Sequence, residues 1–167
     1  MKKILVVDDE LELCDMMKKC LEKTGLYQVT STNLPEGVPD LCRTLNPDLV
    51  LMDIVMPRMK GTELIKVLRS APETRGILLV VTSGLGEMVY HEKKDNWKWE
   101  PNRDVVRDRG DVPAERHAEA AAKAYGVDDF IAKPFTRETL LQVLGDVFAR
   151  STALGEDEVK GREGPAR

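Results

Sequence analysis

The sequence predicts an α/β fold built on a parallel sheet, and three observations predict it. Four short apolar runs end abruptly in polar residues. Lys3-Ile4-Leu5-Val6-Val7 runs into Asp8-Asp9-Glu10, and Asp48-Leu49-Val50-Leu51-Met52 runs into Asp53. Ile77-Leu78-Leu79-Val80-Val81 runs into Thr82-Ser83-Gly84, and Phe130-Ile131-Ala132 runs into Lys133-Pro134. Short β-rich runs bounded by polar residues read as buried parallel strands. Between them lie stretches with helical spacing, the second observation. The third is chemical: ligands of a parallel α/β sheet bind at the carboxyl ends of its strands. Asp8, Asp9, Asp53, Thr82 and Lys133 are therefore expected to converge on one rim.

Taken in order, residues 3–8 are the first strand. Residues 10–24 have helical periodicity, with Leu13, Met16, Met17, Cys20 and Leu21 as the apolar stripe and Gly25 as the stop. Tyr27 to Ser31 is a second strand. A helix over about 35–45 starts at Pro35, but Pro39 sits where it would break or kink that helix. Leu41, Cys42 and Leu45 still mark an inner face. Pro47 ends the element, and 48–53 is the third strand. Met56 to Gly61 is a loop, 62–70 a helix carrying Leu64, Ile65 and Leu68, and 77–82 the fourth strand.

The rhythm then fails. The stretch from Thr82 to Lys133 exceeds a helix and two short loops by roughly 25–30 residues. Residues 118–125 already supply a helix and Gly126 its stop, so the excess falls within about 86–115. That segment holds both tryptophans, Trp97 and Trp99, and dense charges of both signs. Its mixed charges are expected to leave part of it mobile or as extended helix. Residues 129–132 form the fifth strand. A last helix, 137–149, carries Leu140, Leu141, Leu144, Val147 and Phe148, with Thr136 as N-cap. The chain thus divides into a domain over 1–150 and a polar, Gly-rich flexible tail over 151–167.

Composition excludes several function classes. The chain has 167 residues and a net charge of −4 with no basic block, so nothing points to a nucleic-acid partner. No apolar run is long enough to span a bilayer. The apolar run after Met1-Lys2-Lys3 is short and ends in three acids, unlike a signal peptide, so a cytoplasmic protein is expected. Cys14, Cys20 and Cys42 lack CxxC spacing and read as buried thiols, not as a disulfide or zinc site.

The rim residues have a chemistry in common. An aspartate carboxylate can accept a phosphoryl group as an acyl phosphate. That reaction needs charge neutralisation more than acid–base help. Magnesium prefers oxygen ligands and takes one or two carboxylates plus phosphate oxygens. Asp8, Asp9 and Asp53 suit such a cradle, and crowded like charges there call for a cation. Lys133 adds an ammonium, and Thr82 a hydroxyl donor. Ser83 and Gly84 are small enough to leave room.

These residues resemble the receiver domain of two-component response regulators. The matching positions are Asp8-Asp9, Asp53-Ile54-Val55-Met56-Pro57 with Gly61, Thr82-Ser83, and Lys133-Pro134-Phe135, over about 1–85 and 116–149. The resemblance implies a flavodoxin-like, doubly wound five-stranded parallel sheet of order 2-1-3-4-5 with helices on both faces. It implies that Asp53 accepts phosphate from a sensor histidine kinase or phosphotransfer protein. Asp9, Asp53 and the Val55 backbone carbonyl would ligate Mg2+ directly, with Asp8 acting largely through water. Thr82 and Lys133 would contact the phosphoryl group, and Phe130 would be the switch aromatic. A cis Lys133–Pro134 peptide is expected, because proline makes one accessible where the turn must aim the lysine.

The predicted function is a phosphorylation-controlled signalling switch that acts by contact with a target protein. As an enzyme it would catalyse only its own phosphorylation and dephosphorylation. A homodimer stays open, and no membrane partner is expected. Two alternatives compete. One is a receiver-like scaffold without phosphotransfer, against which the full set of acids, Thr82 and Lys133 argues. The other is a Mg-dependent aspartyl-phosphate hydrolase. Such enzymes carry a second acid two residues beyond the nucleophile, where this chain has Val55.

Overall fold

A computed structural model of the chain describes the backbone of residues 1–83, 86–91, 96–101 and 126–160, and side chains over 1–82 and 126–153. The elements are β1 (Lys2–Val7), α1 (Leu11–Glu22), β2 (Tyr27–Thr32), a 3-10 turn (Pro35–Gly37), α2 (Val38–Leu45), β3 (Leu49–Asp53), α3 (Gly61–Ser70), β4 (Leu78–Ser83), β5 (Gly86–His91), β6 (Asn96–Pro101), β7 (Asp129–Ala132) and α4 (Arg137–Lys160). Five strands form one sheet in the order β2-β1-β3-β4-β7, with every pairing parallel. Counted within that sheet, the order is the expected 2-1-3-4-5.

Alternate residues of the strands feed two apolar layers. Leu5, Val7, Val50, Met52, Leu79 and Val81 pack with Val38 and Cys42 of α2 and Leu64, Ile65 and Leu68 of α3. Ile4, Val6, Leu49, Leu51, Val80 and Ile131 pack on the other face with Cys14, Met17 and Leu21 of α1 and Leu140, Leu144 and Val147 of α4. Strand β3 is buried along its whole length. No described helix is long and apolar enough to cross a membrane.

Three expectations need correction. The stripe of α1 is centred on Cys14, Met17 and Leu21, with Leu13 and Cys20 at its flanks, and Met16 is 54% exposed. At 100° per residue Met16 lies beyond the edge of the stripe that Cys14 defines. The expected single helix over 35–45 is a 3-10 turn followed by α2, and Pro35 and Pro39 each occupy a first turn. There the missing N–H breaks no bond. The residues expected to begin a flexible tail at 151 continue α4 to Lys160, and Thr152 Oγ1 donates to the Phe148 carbonyl at 3.0 Å. No proline interrupts that stretch, and most of its residues tolerate a helix. Residues 161–167 lie outside the described residues.

Between β4 and β7 the chain forms something the sequence reading did not foresee. β5 and β6 pair antiparallel as a separate two-stranded ribbon where mobile chain or extended helix was expected. The helix expected over 118–125 lies outside the described residues. The point of return is pinned by one side chain. Arg69 donates to the carbonyls of Gly126 (2.6 Å), Ile77 (2.7 Å) and Arg75 (2.9 Å), and to Asp128 Oδ2 (3.0 Å). Asp128 Oδ2 also accepts from the Leu79 N–H at 2.7 Å. β7 is thereby fixed against α3 and β4 at its first residues.

Candidate functional site: an acidic pocket bridged by a lysine

The pocket is made by strand ends. Asp8 follows β1, Asp53 is the last residue of β3, and Thr82 lies near the end of β4 in register with Asp53. Lys133 follows β7. Four runs of different sequence thus deliver their first polar residues to one edge because the strands are parallel and in register. The loop after Asp53 is closed by the Gly61 N–H donating to the Ile54 carbonyl at 3.0 Å. A Cβ on Gly61 would lie 2.6 Å from Ile54 Cα, so only glycine permits this approach.

Lys133 bridges the two buried acids. Its Nζ donates to Asp8 Oδ2 at 2.8 Å and to Asp53 Oδ2 at 3.0 Å. The second oxygen of each carboxylate is held by backbone. Asp8 Oδ1 accepts from the Glu10 N–H at 3.0 Å, and Asp53 Oδ1 from the Val55 N–H at 3.1 Å. Asp8 is fully buried and Asp53 nearly so, while Asp9 is exposed. Carboxylate oxygens of Asp8, Asp9 and Asp53 come within 4.8 Å of one another. The set is all oxygen, as a hard divalent cation requires. Beside it, the Thr82 hydroxyl is buried and has no hydrogen-bond partner among the described residues. A buried, unpartnered hydroxyl costs free energy unless something occupies its bonding capacity.

All five rim residues therefore meet as expected, and the Lys133–Pro134 peptide is cis. Thr136 caps α4 as predicted, its Oγ1 accepting from the Thr139 N–H at 3.2 Å. Phe130 is half-buried against the layer containing Val81, its register partner. Two supports escaped sequence reasoning. The backbone N–H groups of Glu10 and Val55 carry no side-chain signature. Cys14 was read only as a buried thiol, yet its Sγ donates to the Asp8 carbonyl at 3.3 Å. Burial first, then the neighbouring Asp8, pushes the Cys14 thiol up to about 11, which favours the protonated thiol that donates to the Asp8 carbonyl.

Electrostatics in the pocket oppose one another. Burial, more than anything else, raises the Asp53 carboxyl above the usual aspartate value, with Asp8 adding to the rise. The Val55 N–H and Lys133 pull the other way without cancelling it. For Lys133, burial alone would lower the ammonium, but its hydrogen bonds and charge pairing with Asp8 and Asp53 outweigh this and raise it. Linkage fixes the sign of the consequence for Asp53. A carboxyl whose folded pKa lies above the unfolded one contributes stability in acid that is lost as pH rises through the folded value. Asp53→Asn removes that loss. The stability of Asp53→Asn minus that of the unsubstituted protein, from urea unfolding, is expected to grow as pH rises above 3.8, the ordinary aspartate value, towards neutrality. A difference that stays flat or shrinks would contradict the burial argument.

Comparison with known proteins agrees with this geometry. The model of the response regulator receiver domain matches residues 4–93. PilH of Pseudomonas aeruginosa is 29% identical over 89% of this chain and 99% of its own length. The phosphate regulon transcriptional regulatory protein PhoB of Klebsiella pneumoniae is 28% identical over 98% of this chain. The chain spans only 58% of PhoB's length. Among solved structures, the chemotaxis response regulator CheY4 of Vibrio cholerae superposes with a TM-score of 0.63 at 23% identity, covering 88% of this chain and 98% of CheY4. A response regulator receiver domain protein from Clostridium thermocellum gives 0.64 at 22% identity, covering 92% of this chain and 99% of its own. At those identities the structures attest the fold, and the family match carries the rest: this chain belongs to the response regulator receiver domain family of two-component signalling.

Proposed function

We propose that the chain is a phosphorylation-controlled switch in which Asp53 accepts a phosphoryl group from a sensor histidine kinase or a phosphotransfer protein. The observation that carries this reading is the Lys133 ammonium 3.0 Å from Asp53, with the Thr82 hydroxyl, which has no partner among the described residues, in the neighbouring register position. An Asp53 carboxylate oxygen attacks phosphorus, the P–N bond to the donor imidazole breaks, and that nitrogen takes the electron pair. Lys133 follows the developing negative charge, and the Thr82 O–H donates to a phosphoryl oxygen. Asp9 and Asp53 would hold Mg2+, with Asp8, the fully buried member of the set, acting largely through water. A bound Mg2+ neutralises charge on the transferred group.

The reading implies a cytoplasmic protein whose output is contact with a target protein, with Phe130 responding on the β7 side. The hydrolase alternative lacks its second acid, since Val55 stands there. A scaffold would have no use for a lysine held between two buried acids.

Acetyl phosphate with Mg2+ is expected to add one phosphoryl mass to the intact protein, and none to Asp53→Asn. Thr82→Ala is expected to slow labelling at least tenfold, up to the about 100- to 1,000-fold that the loss of one full transition-state donor costs. Continuous turnover of the donor would instead mark a hydrolase, and no labelling a scaffold. The acyl phosphate is expected to be long-lived, because Val55, 39% exposed beside Asp53, cannot orient a water. Val55→Asn should shorten its lifetime, and an unchanged or longer one would refute that role.

A further inference from the structure

The ribbon between β4 and β7 is not absorbed by the phosphotransfer chemistry. β5 and β6 pair antiparallel with Met88 opposite Trp99, Val89 opposite Lys98, and Tyr90 opposite Trp97. Directly paired residues, and residues two apart along a strand, lie on one side of a ribbon. Register therefore places Met88, Tyr90, Trp97 and Trp99 together on one side. The other side carries Glu87, Val89, His91, Asn96, Lys98 and Glu100. One side is apolar and aromatic without a charge, and the other is polar with charges of both signs.

A two-stranded ribbon is marginally stable in water unless its apolar side is covered. Among the described residues, the chain's own sheet does not offer the cover. α2 and α3 pack on one of its faces and α1 and α4 on the other. Val81, Val127 and Ile131, apolar residues on β4 and at β7 on either side of the excursion, are already buried there. A lipid surface is disfavoured, because membrane-binding elements carry a basic polar side and this one is mixed. A partner recognised by charge finds no charge on the aromatic side.

We propose that this side of the ribbon is a homodimer interface, its occupant the same side of a second copy. An uncharged apolar patch is self-complementary about a twofold axis, with no like-charge clash across it. Size agrees. Each aromatic buries about 150–250 Å², so three aromatics and a methionine supply roughly 600–800 Å² per copy. A stable interface takes about 800 Å² per partner.

The chain's only two tryptophans, Trp97 and Trp99, both lie on this side, so tryptophan emission reports on it alone. Sedimentation equilibrium and tryptophan emission would be recorded together on the full chain from about 1 to about 100 µM, the range in which a micromolar dimer dissociates. Two-chain mass is expected at the high end, with emission moving to longer wavelength in step with dissociation. Met88→Lys/Tyr90→Lys is expected to remain a single chain throughout, while Lys98→Thr/Glu100→Thr on the opposite side behaves as the unsubstituted protein. Acetyl phosphate labelling of Asp53, unchanged in all of them, reports that the domain is folded and separates a failure here from a failure of the phosphoacceptor reading. A single chain at every concentration overturns the proposal. So does dimerisation that survives the Met88/Tyr90 substitutions, or a short-wavelength emission that is independent of concentration, which would place the cover within one chain. A shift seen only with phosphatidylcholine vesicles would assign the side to lipid and overturn it as well.

Discussion

The arrangement of this molecule depends on one cation. Two aspartates of the same charge sit buried at adjacent strand ends, and the Lys133 ammonium lies within 3.0 Å of both. Buried charge is costly, and a like-charged neighbour makes it costlier. The bridge offsets part of that cost without removing it, which is why Asp53 is still raised above the usual carboxyl range. A site left in this condition gains from an added cation and from redistribution of the aspartate charge. The instability is local, and the dry sheet beneath it carries the fold.

That constraint reaches outward through the chain. Lys133 can stand over Asp53 only if β7 lies beside β4 in register, Thr82 opposite Ile131. The connection that brings β7 there is long and includes the ribbon. Arg69 makes that length tolerable by tying Gly126 and Asp128 to the ends of α3 and β4 before β7 begins. Its four N–H···O contacts tie two short stretches together, 75–77 and 126–128, so the return point is set by local bonds and not by the excursion. An excursion anchored in this way is free to acquire its own surface, and the uncharged side of the ribbon has the composition of one.

The sheet and its rim were legible in the sequence because each strand is a dry run that stops at a functional polar residue. Asp8, Asp53, Thr82 and Lys133 announce themselves by position, and parallel pairing does the rest. What was not legible has physical reasons. The phase of α1 was misread because Leu11, Leu13, Met16 and Met17 offer apolar residues on several sides, and Cys14, which is buried, counts weakly as a hydrophobe in a pattern. The N–H groups of Glu10 and Val55 belong to the backbone and leave no trace in residue type. The period of two in Met88-Val89-Tyr90 and Trp97-Lys98-Trp99 is short and embedded among charges, and only the register reveals that the aromatic positions coincide. The helical continuation past Arg150 was hidden by its polarity, since a solvated helix and a loop have similar composition.

The central claim, that Lys133 holds Asp8 and Asp53 together as one electrostatic unit, is tested most directly by a double-mutant cycle on folding stability. Lys133→Met alone should destabilise the protein by about 3–5 kcal/mol, because it leaves two carboxylates buried without their cation. Asp8→Asn added to it should return a substantial part of that loss, giving a coupling energy of about 1–3 kcal/mol in urea unfolding at neutral pH without divalent cation. Effects that add within about 0.5 kcal/mol would mean that the lysine and the acids are neighbours without being partners, and would contradict the account.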